Sequence, residues 1–156
     1  MSTWTHVAGM LRLDACILDR QDLEKQLDNL TNMFVKKIYV SATRNLDTTK
    51  QCNMPSGSEG SLDYTIIVNP DINHCNFCQV AFWGDLRDYG VEKAVAEFPK
   101  WIHSFCTELI KKDIYTIRNL IFCVEPEDCN YSLVYTVEYT DVDCTQFKII
   151  SSIMYR

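Results

Sequence analysis

The segment from Val91 to Lys112 constrains the fold more than any other part of the chain. Its apolar residues recur at intervals of three and four, and glutamate and lysine residues occupy the opposite side, as in an amphipathic helix that covers a core. Pro99 removes one backbone donor but leaves the apolar pattern in phase, so we predict a single kinked helix. The predicted core-facing positions are Val91, Ala94, Val95, Phe98, Ile102, Phe105 and Leu109.

A second amphipathic helix is predicted after the first strand. Its apolar stripe consists of Leu23, Leu27, Leu30 and Phe34, and Asp19 precedes it as a suitable N-terminal cap. Seven further segments have the alternating or β-branched character of strands. These segments are residues 4–16, 36–42, 62–70, 77–84, 114–125, 131–140 and 146–155.

The order of these elements predicts the class of the fold. Strands and helices follow the order β-α-β-β-β-α-β-β-β, which does not alternate as a doubly wound parallel sheet requires. We therefore predict one α+β domain over residues 1–156, with a mostly antiparallel sheet and both helices packed on one face. The first elements favour a partly ferredoxin-like core, followed by a β-rich C-terminal extension.

Composition limits the cellular setting and the chemistry. No apolar run approaches the length of a membrane span, and the start "MSTWTHVAGMLRLD" lacks the pattern of a secretory signal, so we expect a cytoplasmic protein without a membrane partner. The eight cysteines are then expected to be mostly reduced and to pack as small apolar residues. A zinc site that includes His74, Cys75 and Cys78 is an open alternative, although no second ligand pair has matching spacing.

Catalytic motifs are missing from the sequence. The chain has three histidines, and it contains no G-x-S-x-G elbow, H-E-x-x-H helix or paired-acid motif. We therefore expect a non-enzymatic protein that has no cofactor.

The charge distribution is the strongest functional signal. Residues 113–147 carry seven acidic side chains and a single base, Arg118. The acids concentrate in "VEPEDCNY" and "YTDVDCT", two turns that we expect to lie close together. Such a field repels nucleic acid and attracts basic surfaces, although acidic turns also serve solubility alone. The candidate partner-binding residues are Glu125, Glu127, Asp128, Glu138, Asp141 and Asp143.

The segment "MPSGSEGSLDY" supports an alternative hypothesis. Its glycines and serines indicate either a turn that begins a strand or a nest of backbone N–H groups that binds an anion. Arg87 in "FWGDLRDYG" is either a ligand contact at a helix start or the ion-pair partner of Asp85 and Asp88, with Asp88 or Tyr89 as the helix cap. In the alternative, the protein sequesters a small anionic or cyclic-nucleotide signal. The candidate ligand-binding residues are Ser56, Gly57, Ser58, Gly60 and Arg87.

Two motifs carry a resemblance to known proteins. The start "TWTHVAGMLRLD" and the segment "GDLRDYG" before a long helix resemble small bacteriophage and prophage proteins that pair a "WTH" start with a "GDLRD" turn. The resemblance implies an accessory protein of anti-CRISPR or similar counter-defence type, made in the cytoplasm of an infected or lysogenic bacterium. Its expected partner is a host protein with a basic surface, such as a Cas or other defence nuclease, bound without direct contact to nucleic acid. No catalytic residue carries over.

Overall fold

The computed structural model describes residues 2–15, 19–34, 54–68, 76–112, 115–141 and 145–156. The strand predicted at residues 36–42 and the cysteine at position 75 lie outside these ranges. The described elements are β1 (Trp4–Ala15), α1 (Arg20–Thr31), β2 (Asp63–Val68), β3 (Asn76–Arg87), α2 (Val91–Lys111), β4 (Tyr115–Pro126), β5 (Tyr131–Tyr139) and β6 (Phe147–Tyr155).

The strands form one sheet in the order β2-β3-β1-β4-β5-β6, and every neighbouring pair is antiparallel. The first six elements run β-α-β-β-α-β with the strand order β2-β3-β1-β4, which is the ferredoxin-like arrangement. Strands β5 and β6 extend the sheet beyond β4. The predicted α+β class, the antiparallel sheet and the C-terminal β extension are confirmed.

Both helices cover the same face of this sheet. In β1, Leu11 and Leu13 are buried while Met10 is exposed, as expected for a strand that has one face against a core. From the buried face of β4, the Tyr115 hydroxyl lies 2.7 Å from Gln26 Oε1 of α1. From the same face, Phe122 packs edge-on against Trp101 of α2. The opposite face of the sheet has no helix over it among the described residues.

The helices follow the sequence prediction closely. Asp19 caps α1 by accepting the Asp22 N–H at 2.9 Å, and α2 continues through Pro99 as one helix. The buried face of α2 differs from the predicted apolar stripe at one edge. Val95, a predicted core-facing residue, is 53% exposed, whereas Trp101 is buried. Neither described helix is long and apolar enough to cross a bilayer.

The "GDLRD" segment differs from the prediction. It is not a turn: Gly84 to Arg87 belong to β3, and Arg87 pairs with Trp4 of β1. The chain leaves the strand at Asp88, which has a positive φ of 54°. The N-cap of α2 is Gly90, which offers no side chain, so neither Asp88 nor Tyr89 caps the helix as expected.

Candidate partner-binding surface

One end of the sheet gathers carboxylates from three separate stretches of sequence, and we call it the acidic end. It forms because the start of β1 lies between the end of β3 and the end of β4. Backbone bonds join these parts: the Asp88 N–H donates to the Thr3 carbonyl at 2.7 Å, and the Glu127 N–H donates to the Trp4 carbonyl at 2.9 Å. The carboxylates of the acidic end are Glu59, Asp85, Asp88, Glu125, Glu127 and Asp128.

His6 lies among these carboxylates, half exposed. Its Nδ1 is 2.6 Å from Asp85 Oδ1, and its Nε2 is 3.5 Å from Glu127 Oε1. Glu125 occupies the β4 position directly opposite His6. The hydrogen bond to Asp85 is the main cause that raises the pKa of His6 above its usual 6.5, against the opposing effect of burial. Protonated His6 therefore bridges a carboxylate of β3, Asp85, and one of the β4–β5 turn, Glu127.

Glu127 and Asp128 also hold the backbone of the acidic end. Glu127 Oε2 accepts the Trp4 N–H at 3.1 Å. Both carboxylate oxygens of Asp128 lie 3.3 Å from the Val91 nitrogen at the start of α2. Asp128 thus supplies the cap that Gly90 cannot, and its charge suits the helix dipole. These bonds orient the two carboxylates on the β4–β5 turn.

Glu138 and Asp141, two of the other predicted partner-binding residues, lie at the opposite end of the sheet. Strand β5 has nine residues and separates its two flanking turns by about 30 Å. Glu138 pairs there with Lys148, with 2.8 Å between Oε2 and Nζ, and Asp143 lies outside the described residues. The expectation that the two acidic turns lie together is therefore wrong, because successive turns of an antiparallel meander fall at opposite ends of the sheet.

Asp141 closes its own turn rather than facing a partner. Its carboxylate accepts the N–H groups of Thr145 at 3.0 Å and Gln146 at 2.8 Å, together with the Thr145 hydroxyl. The hydroxyl bond is the largest of the causes that lower the pKa of Asp141 below its usual 3.8. This carboxylate is engaged in the hairpin.

The glycine–serine segment packs against the end of β3 as an added stretch of backbone pairing. The Gly57 N–H donates to the Gly60 carbonyl at 3.2 Å, and the Ser58 N–H donates to the Arg87 carbonyl at 2.8 Å. A Cβ on Gly57 or Gly60 would overlap the backbone of β3, and Gly60 has a φ of 78°. Glycine is therefore required for close approach and for the left-handed turn. Ser56 completes the turn through a bridge to Ser61.

The side chain of Arg87 also binds within the protein. Its Nη1 lies 2.5 Å from Glu59 Oε1, and this hydrogen bond is the main cause that raises the pKa of Arg87. Ser58 donates its hydroxyl to Asp88 Oδ2 at 2.5 Å. The ion-pair partner of Arg87 is thus Glu59 rather than the expected Asp85 and Asp88. The N–H groups of Gly57 and Ser58 and Nη1 of Arg87 already have acceptors inside the protein, which favours the turn over the anion nest, whereas the buried Nε of Arg87 has no hydrogen-bond partner within the part of the chain that the structure describes.

The cysteine of the C-x-x-C frame that the structure describes is a core residue. Cys78 is buried in β3, and burial raises the pKa of its thiol to about 12. The thiol packs as a small apolar group. Across the described ranges, no three His, Cys, Asp or Glu side chains are placed to hold a metal ion.

Sequence reasoning missed that Glu59, Asp85 and Asp88 join Glu125, Glu127 and Asp128. No local pattern carries this information, since the residues meet only through the pairing of β1 with both β3 and β4. Comparison with protein families, with curated proteins and with solved structures gives no match to this chain.

Proposed function

We propose that this protein is a non-enzymatic binding protein whose acidic end occupies a basic, nucleic-acid-handling surface of a partner. The observation that carries the proposal is the convergence of six carboxylates at one end of the sheet, where Arg87 is already paired with Glu59. A concentrated negative field steers and orients a positively charged surface. Surfaces that handle nucleic acid are positively charged because their natural ligand is a phosphate backbone.

The hydrogen bonds that orient three of these carboxylates support the same proposal. Asp85 is held by His6, Glu127 by the Trp4 N–H and Asp128 by the start of α2. Charges that are oriented before binding lose less conformational freedom when a partner arrives. The acidic end therefore differs from a set of solvated side chains that only improve solubility.

The resemblance to phage accessory proteins supports a narrower form of the proposal. In that form the protein inhibits a host anti-phage defence system in the manner of an anti-CRISPR protein. Its target is the basic channel of a defence nuclease, and nucleic acid is excluded rather than bound.

The experiment compares two charge-reversal variants of equal net charge. Asp85→Lys/Glu125→Lys changes the acidic end, whereas Glu108→Lys/Glu138→Lys makes the same change on α2 and at the far end of β5. Each purified protein captures partners from the native host, and calorimetry at low and at high salt then measures the affinity for the purified partner. We expect the control to bind like the unmodified protein, the acidic-end variant to lose binding, and added salt to weaken the complex.

Equal binding by the two variants would contradict the proposal. The alternative ligand is tested on the same samples, by thermal shift with a panel of cyclic nucleotides and by mass spectrometry of the protein purified from infected cells. A bound nucleotide, or stabilisation by one member of the panel, would favour the sequestering hypothesis instead.

A further inference from the structure

Strand β6 is the last strand of the described sheet and pairs on one side with β5. Within the described residues, no other strand pairs with its outer edge. The second half of the strand is exposed on both faces: Ile153 is 54% exposed, Met154 is 53% exposed and Tyr155 is 76% exposed. A long apolar edge of this kind is a template for pairing with another strand.

The backbone of β6 shows which residues offer hydrogen bonds outward. The Thr140 N–H donates to the Gln146 carbonyl at 2.9 Å, and the Arg156 N–H donates to the Asn130 carbonyl at 3.2 Å. The register between these two pairs is continuous. Because hydrogen-bonded pairs alternate in an antiparallel ladder, the even-numbered residues of β6 bond to β5. The odd-numbered residues direct their N–H and C=O groups away from β5.

The odd-numbered residues of β6 form a palindrome of residue types, with the same order of types from either end of the strand. Their order is aromatic, isoleucine, serine, isoleucine, aromatic, given by Phe147, Ile149, Ser151, Ile153 and Tyr155. A two-fold rotation about Ser151 therefore places Phe147 opposite Tyr155 and Ile149 opposite Ile153 of a second copy. A two-fold interface requires such self-complementarity, and cross-strand aromatic and aliphatic pairs stabilise a sheet.

We propose that β6 pairs with β6 of a second copy of this chain, antiparallel and centred on Ser151, so that one sheet continues through both copies. The helix layer supports this arrangement. The His103 ring of α2 packs 5.1 Å from the Phe147 ring, whereas Ile153 and Tyr155 are the exposed half of the strand. Antiparallel pairing places this exposed half beside the partner's half that α2 covers.

The charges of β6 are compatible with the pairing. A lysine on an edge strand commonly discourages association, but Lys148 lies near the start of β6 and pairs with Glu138. The Arg156 guanidinium donates to the Pro126 carbonyl at 3.2 Å. Both cations are thus engaged within their own copy. The proposal uses no residue of the acidic end, so it stands or falls independently of the proposed function.

The first test is the association state of the full chain with and without proline at the two-fold axis. Sedimentation and native mass spectrometry are expected to show a dimer that dissociates on dilution. Ser151→Pro removes an outward N–H that β5 does not use, and proline is tolerated on such an edge. Since two hydrogen bonds at the axis are lost, we expect the dissociation constant to rise about 30-fold or more, with unchanged circular dichroism.

The second test is cysteine cross-linking, which does not depend on how the proline variant folds. In the proposed dimer the two Ser151 Cα atoms form a hydrogen-bonded pair about 5.5 Å apart, within disulfide range. The two Ser152 Cα atoms lie about 8 Å apart, beyond that range. Mild oxidation should link Ser151→Cys to itself and leave Ser152→Cys unlinked, as read from peptide masses. A monomer at high concentration, polymers larger than a dimer, or equal linkage of the two variants would overturn the proposal.

Discussion

The turns on either side of β5 are both acidic in sequence, yet they use their carboxylates differently. In the β4–β5 turn, Glu127 and Asp128 bond to groups far away in the chain, namely Trp4 and Val91. In the β5–β6 turn, Asp141 bonds to residues four and five positions later. The first turn therefore joins acidic residues that are distant in sequence into one charged end. In the second turn, the Asp141 carboxylate forms hydrogen bonds within the turn itself. Density of acidic residues along a sequence does not by itself make a charged surface.

The largest expected effect comes from Gly60→Ala, which displaces the segment that carries Glu59 from the end of β3. The new Cβ would overlap the Asp85 carbonyl, and the position has a positive φ. We expect a loss of about 3 kcal/mol in the free energy of unfolding, measured by urea denaturation. The control Glu59→Ala removes only the side-chain ion pair with Arg87, which solvent screens, and should lose much less. Equal losses would show that the close backbone approach is unimportant.

Asp128→Ala tests whether the β4–β5 turn is tied to α2. The variant leaves the start of the helix without the carboxylate that accepts the Val91 N–H, so we expect a loss of about 1 kcal/mol by the same measurement. Asp128→Asn keeps an acceptor oxygen and should lose less. A variant Asp128→Ala as stable as the unmodified protein would remove the structural difference between the two turns.

A smaller effect is expected from pH at the acidic end. Because the folded state raises the pKa of His6, mainly through Asp85, the protonated ring stabilises the fold, and this contribution is complete below pH 6.5. It is lost as pH rises through the raised value. The stability difference between the unmodified protein and His6→Asn should therefore be largest below pH 6.5 and shrink at higher pH. His103→Asn, whose ring packs on Phe147, is the matched control; a His6 difference that grows with pH would contradict the bridge.

The opposite pH dependence is expected at the far turn, with the smallest effect. The folded state lowers the pKa of Asp141, mainly through the Thr145 hydroxyl. Its contribution to stability is therefore present above pH 3.8 and is lost as pH falls through the lowered value. Asp141→Asn should make the unfolding free energy less sensitive to acid below pH 3.8. An unchanged acid profile would mean that the hairpin does not depend on the ionised carboxylate.

Much of the fold could be predicted because its signals are local and periodic. The alternation along β1 and the apolar stripe of α2 each identify an element without knowledge of its neighbours. The end of β3 could not be predicted in this way, because the predicted strand stops at Gly84, and Asp85 and Asp88 are residues that favour turns. Pairing with Trp4–His6 of β1 extends the strand to Arg87 against that local preference.

The candidate site could be predicted only in part. The density of charge predicts Glu125, Glu127 and Asp128, but Glu59 and Asp85 come to the same place through strand order, which no short pattern encodes. Arg87 illustrates the reverse case. Its place at the start of a predicted helix favours an anion ligand in the alternative hypothesis, and the structure provides the anion internally as Glu59.

The central position of β1 in the sheet has a consequence for folding during synthesis on the ribosome. This strand is made before every other described element, yet its two neighbours, β3 and β4, are completed only at Arg87 and Pro126. Leu11 and Leu13 are fully buried in the folded protein. They therefore leave the ribosome long before β3 and β4, the strands that pair with β1, have been synthesised. Contacts of such long sequence separation slow folding, so nascent chains should rely on chaperones until the fourth strand has emerged, after which the β5–β6 hairpin adds locally.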